Sequence, residues 1–266
     1  MYEKFFDLER TPFLNNIPVE SLYIFDKLSE VLGRLKYAAA NNMFAVVSSD
    51  VGTGKSTAIR KFAAELNPDK YTVLYVAESG LTPRWFYKGM LDHFGIEAKF
   101  YRGDARRQFH RQLETVREVH HKHIVVIVDE AHLLDRETME EIRFLLNSKM
   151  DSESPLALVL VGQPELWDML NKQVFAAIKQ RVDMKCNLSC FDRSETEAYI
   201  KAHMSYAGTD SEIFTEGAID EVFKYSAGAA RAINKVCTHA LMNAAQKSKK
   251  LIDDHLVKAV VEGEML

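Results

Sequence analysis

The chain has 266 residues, and its 34 lysines and arginines against 38 aspartates and glutamates leave a net charge of −4. Apolar residues make up 47% and charged residues 27%, with 12 glycines and 6 prolines, so disordered, collagen-like and coiled-coil proteins are excluded. The three cysteines, Cys186, Cys190 and Cys237, are too few for a disulfide framework and favour a reducing compartment.

The sequence shows no targeting segment. The N-terminal residues lack the basic and then apolar pattern of a signal peptide. The longest aliphatic runs, residues 124–128 and 156–161, fall far short of the ~18–20 residues that cross a bilayer. We therefore expect a cytoplasmic protein without a membrane-inserted segment.

Between residues 43 and 162, short aliphatic runs alternate with longer segments of helical periodicity. The predicted strands are residues 43–48, 72–76, 124–128 and 156–161, and the predicted helices are residues 19–41, 55–66, 83–94, 104–121 and 136–149. The last two strands are uninterrupted aliphatic runs, which are typical of strands buried on both faces of a parallel sheet. This alternation predicts a three-layer α/β fold with a parallel sheet.

After about Cys190 the pattern becomes helical throughout. The first predicted helix runs from Ser194 to about Ala207, and Ser194 has capping-box spacing to Glu197. The next two cover residues 216–226 and 229–246, and a fourth starts at Asp253 or Asp254. Apolar residues of the third helix, including Cys237, form one buried stripe. We therefore predict an α/β domain over residues 1–190, with a helical segment at 1–42, and a small helical lid domain over residues 191–266.

A glycine-rich loop follows the first predicted strand and precedes a helix. It consists of Ser49, Asp50, Val51, Gly52, Thr53, Gly54, Lys55, Ser56 and Thr57. Gly52 and Gly54 permit a backbone that brings successive N–H groups around phosphate oxygens at a helix N-terminus. Lys55 is then placed to reach the β- and γ-phosphates of a nucleotide, and the Ser56 hydroxyl to ligate Mg²⁺. Ser49 stands where the usual pattern has glycine, and a turn that binds no ligand is the alternative.

Two acidic residues, Asp129 and Glu130, end the third predicted strand. The carboxyl ends of parallel strands face one crevice, so both acids are expected on the side of the phosphate loop. Asp129 can hold Mg²⁺ through a bound water, and Glu130 can polarise the water that attacks the γ-phosphate. A pair of acids that only caps a helix is the alternative.

Three further polar residues are candidates for contact with the nucleotide. Gln163 follows the fourth predicted strand, where it can contact the γ-phosphate or the attacking water, although a simple turn is the alternative. Arg181 ends a helix predicted at 174–181 and can enter the site of a neighbouring subunit, unless it only interacts with its own helix dipole. Arg231 faces away from the buried stripe of its helix, which suits either a phosphate contact or a solvated position.

The segment from residue 99 to residue 123 is basic, with seven lysines and arginines against three acids. Its candidate DNA contacts are Lys99, Arg102, Arg106, Arg107 and Arg111. Arg107 and Arg111 are spaced i, i+4 on a predicted helix and can follow a phosphate backbone without reading bases. A solvated helix face is the alternative.

The order of these features resembles that of AAA+ ATPases, and individual motifs are similar to the ExeA-type ATPase family. The motifs are FDLERTPF at 6–13, VGTGKS at 51–56, FYRGD at 100–104, DEAHLL at 129–134, RFLLN at 143–147, VGQPEL at 161–166, QR at 180–181 and GAARAIN at 228–234. The resemblance implies ATP and Mg²⁺ as cofactors. It also implies a homo-oligomer, either a ring or a helical filament, that hydrolyses ATP at its subunit interfaces.

The family divides in function. Stand-alone members resemble transposition regulators of the MuB, TniB, TnsC and IstB kind, which assemble on duplex DNA with ATP and recruit a transposase to target sites. Secretion-pathway members carry a transmembrane segment and a peptidoglycan-binding region after the ATPase, and this chain ends at Leu266 without either. The resemblance therefore implies duplex DNA and a transposase as partners. The alternatives are an ATPase that serves a secretion system and a nucleotide-switched scaffold with little hydrolysis, against which Glu130 argues.

Overall fold

A parallel β-sheet organises the first two thirds of the chain. The computed structural model describes residues 2–77, 82–146 and 154–265. The strands within these ranges are β1 Phe44–Ser48, β2 Tyr71–Val76, β3 His123–Val128, β4 Ala157–Gly162 and β5 Met184–Asn187. They pair in parallel in the order β2-β3-β4-β1-β5. The predicted α/β fold with a parallel sheet is confirmed.

Helices connect these strands and make up the C-terminal part of the chain. They are α1 Tyr2–Phe5, α2 Asp26–Ala40, α3 Lys55–Glu65, α4 Pro83–Asp92, α5 Arg102–Glu118, α6 Arg136–Leu145, α7 Glu165–Leu170, α8 Ala176–Lys179, α9 Arg193–Tyr206, α10 Glu216–Ser226, α11 Ala230–Gln246 and α12 Asp254–Val260. The end of the helix predicted at 136–149, and with it Asn147 of the RFLLN motif, lies outside the described residues.

The central strands are buried on both faces, as their aliphatic sequences predict. Every residue of β1 and β4 is buried, and in β3 all but the first. The helices between β2 and β3 cover this core with large side chains, among them Phe86 and Tyr87 of α4 and Phe109 of α5, all fully buried. Burial of each side chain of this size stabilises the folded state by roughly 1.5–3 kcal/mol. The loops at the strand ends are therefore attached to a stable core.

The edge strand β5 is the element that the sequence pattern missed. Its four residues alternate in exposure, and only Cys186 is buried. Within the described residues it pairs with β1 through Ala45 to Ser48. A strand that is short, polar and half-exposed carries too little hydrophobic signal to be predicted from sequence.

Two helix starts differ from the prediction. The helix predicted at 19–41 begins only at Asp26, because Val19–Ser21 forms a separate 3-10 turn that ends where Leu22 becomes extended. The lid helix α9 is capped by Asp192, not Ser194: the Asp192 carboxylate accepts from the N–H of Glu195, whose carboxylate accepts from the N–H of Asp192. Glu197 instead pairs with Arg193 and Lys201 along the same helix.

The helix predicted at 174–181 is also shorter than expected. Residues Gln173–Phe175 form a 3-10 turn, and the α-helical part is confined to α8. Arg181 therefore follows the helix in a turn in which its N–H donates to the carbonyl of Ile178 at 3.0 Å. Arg181 thus lies just after a short helix, and its contact with the nucleotide of a neighbouring subunit stays a prediction.

The apolar stripe predicted for the helix at 229–246 is buried in α11. Ile233, Val236 and Cys237 of α11 are fully buried, and α10 has the predicted bounds. The chain divides into two compact units, one of Met1–Lys27, Asp50–Gly54 and Ser189–Leu266 and the other of Leu28–Ser49 and Lys55–Leu188. Residues 1–27 and the tip of the glycine-rich loop thus group with the C-terminal helices.

Candidate functional site

The glycine-rich loop leaves the sheet from the end of β1, between β4 and β5. Ser49, the residue that departs from the usual glycine, is 1% exposed, and its N–H donates to the carbonyl of Gly162 at 3.2 Å. The parallel ladder between β1 and β4 is thereby extended by one bond. A small buried serine is therefore compatible with the path of the loop at its entrance.

Two positive backbone angles shape the tip of the loop. The φ angle of Gly52 is +84° and that of Gly54 is +102°, which is a region that side chains disfavour. A Cβ at Gly52 would also lie 3.2 Å from the Cβ of Arg231. The carbonyl of Gly52 accepts from the N–H of Arg231 at 3.0 Å, so the first turn of α11 holds the tip of the loop.

Lys55 and Ser56 are the first two residues of α3, and only Lys55 is buried. Lys55 is 9% exposed, and its Nζ donates to the carbonyl of Ser49 at 2.6 Å, which holds the ammonium group at the base of the loop. Ser56 is exposed. A buried cation at a helix N-terminus attracts phosphate, and an exposed hydroxyl beside it is a suitable ligand for Mg²⁺.

Asp129 is held by hydrogen bonds to both of its carboxylate oxygens. The Tyr75 hydroxyl donates to Oδ2 at 2.8 Å, and the N–H of Glu130 donates to Oδ1 at 2.8 Å. The Asp129 side chain is almost fully buried at the end of β3. Burial and the bond to Asp129 raise the pKa of Tyr75, so its hydroxyl stays protonated and acts as a donor. A fixed, hard oxygen ligand of this kind fits Mg²⁺.

Glu130 occupies a left-handed backbone position, with a φ of +50°. Its side chain is 43% exposed, and Oε2 lies 3.5 Å from Nδ1 of His132. The same Nδ1 lies 3.5 Å from the backbone nitrogen of Gln163 after β4. One ring nitrogen cannot accept from Gln163 and donate to Glu130 at the same time, so His132 lies beside both predicted residues without bridging them. The exposed Glu130 carboxylate is accessible to water.

Tyr75 and His132 were not predicted as site residues. Tyr75 reaches Asp129 because β2 pairs with β3 and Tyr75 lies opposite Ile127, two residues before Asp129. A tyrosine at the penultimate position of a strand beside the acidic strand was the available signal. His132 falls within the DEAHLL motif but had no assigned role.

The predicted DNA-binding residues differ in their surroundings. Arg102 and Arg106 lie 3.6 and 3.9 Å from the buried carboxylate of Glu141, which also accepts from the Tyr87 hydroxyl at 2.7 Å. Arg107 pairs with Asp104 at the start of α5 and remains 70% exposed. Lys99 and Arg111 are also exposed. The outer face of α5 therefore leaves Arg107 and Arg111 exposed, while Arg102 and Arg106 balance a buried charge.

Known proteins of similar sequence and structure place the chain in a family. The AAA domain family matches residues 39–170. General secretion pathway protein A of Aeromonas hydrophila is 30% identical over 98% of this chain and 48% of its own length. ATP-dependent target DNA activator B of Escherichia phage Mu is 25% identical over 88% of this chain and 71% of its own length. The ORC1 protein of Aeropyrum pernix, solved in complex with DNA, matches 92% of this chain and 67% of that chain with a TM-score of 0.67 and 13% identity.

These proteins are matched over different shares of their length and at different levels of identity. The chain spans about half the length of the secretion protein, and the likeness to ORC1 concerns the fold alone. Among the described helices, none combines the length and the apolar character that a bilayer crossing requires. The sheet order, the glycine-rich loop and the family match agree, and residues 39–170 form an AAA domain.

Proposed function

We propose that the protein is an oligomeric ATPase that binds duplex DNA and assists transposition by selecting target DNA and recruiting a transposase. The observation that carries the proposal is the likeness to ATP-dependent target DNA activator B across 88% of the chain. The exposed arginines on α5 support it, because phosphate contacts supply most of the sequence-independent affinity for DNA. The predicted domains, residues 1–190 and 191–266, remain part of this proposal.

The residues around the loop have distinct tasks in the proposed reaction. The backbone N–H groups of residues 51–56 and the Lys55 ammonium bind the phosphates. Ser56 and, through a water, Asp129 hold Mg²⁺, which neutralises phosphate charge when bound. Glu130 orients a water and accepts its proton, with Gln163 as a further contact to that water or to the γ-phosphate.

Two arginines complete the proposed site. Arg181, in the turn after α8, contacts the γ-phosphate of a neighbouring subunit, so hydrolysis requires a homo-oligomer. Arg231, whose side chain is exposed and whose N–H is bonded to Gly52, contacts the phosphates of its own subunit. Both cations stabilise negative charge that develops in the transition state.

ATP turnover across a protein titration, with and without duplex DNA, tests the proposal. Turnover per subunit should rise with protein concentration and rise further with DNA at low salt. The Glu130→Gln variant should bind ATP but lose about 10²–10⁴-fold in turnover, because the attacking water loses its base. Glu130→Gln turnover equal to that of the wild type would support the scaffold alternative instead.

A gel shift at several salt concentrations tests the DNA contacts directly. The Arg107→Ala/Arg111→Ala variant should bind duplex DNA more weakly and with a shallower dependence on salt, since it neutralises about two fewer phosphates. Lys224→Ala, which removes a 75% exposed cation from α10, is the matched control. Failure of the wild type to bind any duplex at low salt contradicts the DNA-binding role.

A role in secretion is the second candidate. It is favoured by the 30% identity to general secretion pathway protein A across 98% of the chain. In that case the ATPase should co-fractionate with membranes when produced in its own cells, and its turnover should not respond to duplex DNA. Turnover that rises with DNA while the protein stays out of the membrane fraction would exclude this role.

A further inference from the structure

A group of exposed aromatic and half-buried basic side chains lies on α4 and just before α5. It consists of Arg84, Trp85, Lys88, Phe100 and Tyr101, and we call it the aromatic–cationic surface. Trp85 is 45% exposed, Phe100 74% and Tyr101 70%. Large aromatic side chains are normally buried or at interfaces, so three that are this exposed indicate a binding surface.

The other face of α4 already has its packing partners. Phe86, Tyr87, Met90 and Leu91 are fully buried in the core below the helix. The outward orientation of Trp85 and Lys88 therefore follows from the helical period, with the apolar face fixed by the sheet. The position of Trp85 is thereby fixed by the packing of the opposite face of α4.

Cations accompany the rings at close range. Arg84 lies 5.5 Å from the Trp85 ring centre and 5.2 Å from that of Phe100, and Lys88 lies 4.5 Å from that of Trp85. Phe100 and Tyr101 meet edge to face, with ring centres 5.4 Å apart. These contacts join the side chains into one continuous patch and limit their freedom before any ligand binds.

We propose that the aromatic–cationic surface binds unpaired nucleotides, with bases against the exposed rings and phosphates on Arg84 and Lys88. Every base has a π-face, so stacking on aromatic rings beside cations binds single strands with little sequence preference. The inference rests on the proposed DNA binding and specifies its substrate: duplex DNA that contains unstacked bases is preferred over uniformly paired duplex.

Charge and chemistry favour this ligand over an anionic lipid surface. The five residues that define the surface are three rings and two cations, whereas membrane-binding faces insert aliphatic and aromatic residues together. Arg84 and Lys88 lie within 5.5 Å of ring centres, so a base stacked on the exposed side of a ring has a cation close by for its phosphate.

Tryptophan fluorescence tests the stacking directly, because Trp85 and Trp167 are the two tryptophans of the chain. In a Trp167→Phe background, Trp85 is the sole reporter. Titration with a short oligo-dT, with a flush duplex and with the same duplex carrying an unpaired loop should quench Trp85 only where unpaired bases are present. The looped duplex should bind about tenfold more tightly than the flush duplex.

A variant of Phe100 tests the contribution of base stacking to DNA affinity. Phe100→Ala should reduce the affinity for the looped duplex to that for the flush duplex and leave the latter unchanged. Tyr37→Ala, which removes a 55% exposed ring from α2, is the control and should change neither. Equal affinity for both duplexes without quenching overturns this inference alone, whereas absence of binding to any DNA overturns the proposed function as well. Quenching or a blue shift by anionic vesicles, with no response to oligo-dT, would instead assign the surface to lipid.

Discussion

At the scale of single residues, hydrogen bonds to Asp129 determine how well the acid can serve as a ligand. Tyr75 holds Oδ2 and the N–H of Glu130 holds Oδ1, so the carboxylate has one orientation. Groups that orient a metal ligand usually change metal affinity when removed. Tyr75 is therefore a positioning residue in the proposed reaction.

Tyr75→Phe should raise the Mg²⁺ concentration needed for half-maximal nucleotide binding by about tenfold, because Asp129 loses its donor. Fluorescent nucleotide binding titrated with Mg²⁺ measures this independently of turnover. Tyr71→Phe, at the other end of the same strand, is the control, since that ring only stacks on His123. An unchanged Mg²⁺ dependence in Tyr75→Phe would show that the bond has no positioning role.

The sequence identifies site residues best where they are neighbours in the chain. Lys55 and Ser56 belong to one short motif, and Asp129 and Glu130 to another, so spacing alone suggests their chemistry. Tyr75 depends on the register between β2 and β3, which is a contact between distant parts of the sequence. No local pattern carries that information.

At the scale of elements, the N-terminal segment is fastened to α9 through His203. The N–H of Phe13 donates to Nδ1 of His203 at 3.1 Å, and the two rings stack with centres 5.0 Å apart. Burial lowers the pKa of His203 from 6.5 to about 4, so the imidazole is neutral and can accept this bond.

Stability should fall as the pH drops from about 6.5 to about 4. In this window the unfolded chain binds a proton at His203 that the folded chain does not, which lowers the free energy of unfolding by up to about 3 kcal/mol. Above pH 6.5 the contribution of neutral His203 is complete. Urea unfolding across this range should show a flatter profile for His203→Gln, whereas exposed His255→Gln should follow the wild type.

The turn between α10 and α11 requires glycine. Gly228 has a φ of +76°, and a Cβ there would lie 1.9 Å from the carbonyl oxygen of Phe191, whose N–H donates to the Gly228 carbonyl. Gly228→Ala should therefore lower the free energy of unfolding by at least about 3 kcal/mol, since it adds a backbone clash to backbone strain.

Gly33→Ala is the matched substitution in α2. It has open space around its Cβ and should raise the free energy of unfolding by about 0.5–1 kcal/mol. Denaturant unfolding of both variants measures the contrast. Equal free energies of unfolding for Gly228→Ala and Gly33→Ala would mean that the turn accommodates a Cβ at Gly228 without loss of stability.

Elements with a strong hydrophobic signal were predictable. The strands β1, β2, β3 and β4 fall within one residue of their predicted bounds, because continuous aliphatic runs mark strands buried on both faces. β5 and the shortened α8 were not, because their positions depend on what they pack against. The cap of α9 moved by two residues, since Asp192 and Ser194 are both good caps and only the folded chain selects one.

At the scale of the whole molecule, the proposed reaction needs more than one subunit. Arg181 is assigned to a neighbour's nucleotide and Lys55 to the subunit's own. Hydrolysis then depends on which residues meet at each interface.

Mixing two inactive variants tests this arrangement. Arg181→Ala and Lys55→Ala should each lack turnover, but a mixture should recover part of it, because an intact loop in one subunit meets an intact Arg181 in the next. A mixture of Lys55→Ala with the Lys55→Ala/Arg181→Ala double variant should remain inactive. If the first mixture also stays inactive while oligomers form, Arg181 acts within its own subunit.

The bond between Arg231 and Gly52 has an evolutionary consequence. Both partners are backbone groups, so every substitution of Arg231 except proline keeps the bond and the path of the loop. Replacement of Arg231 by lysine or by a neutral residue can therefore change the charge next to Gly52 without disrupting the phosphate loop. In the proposed reaction, the cation beside the phosphates can therefore be replaced while the backbone that binds them keeps its path.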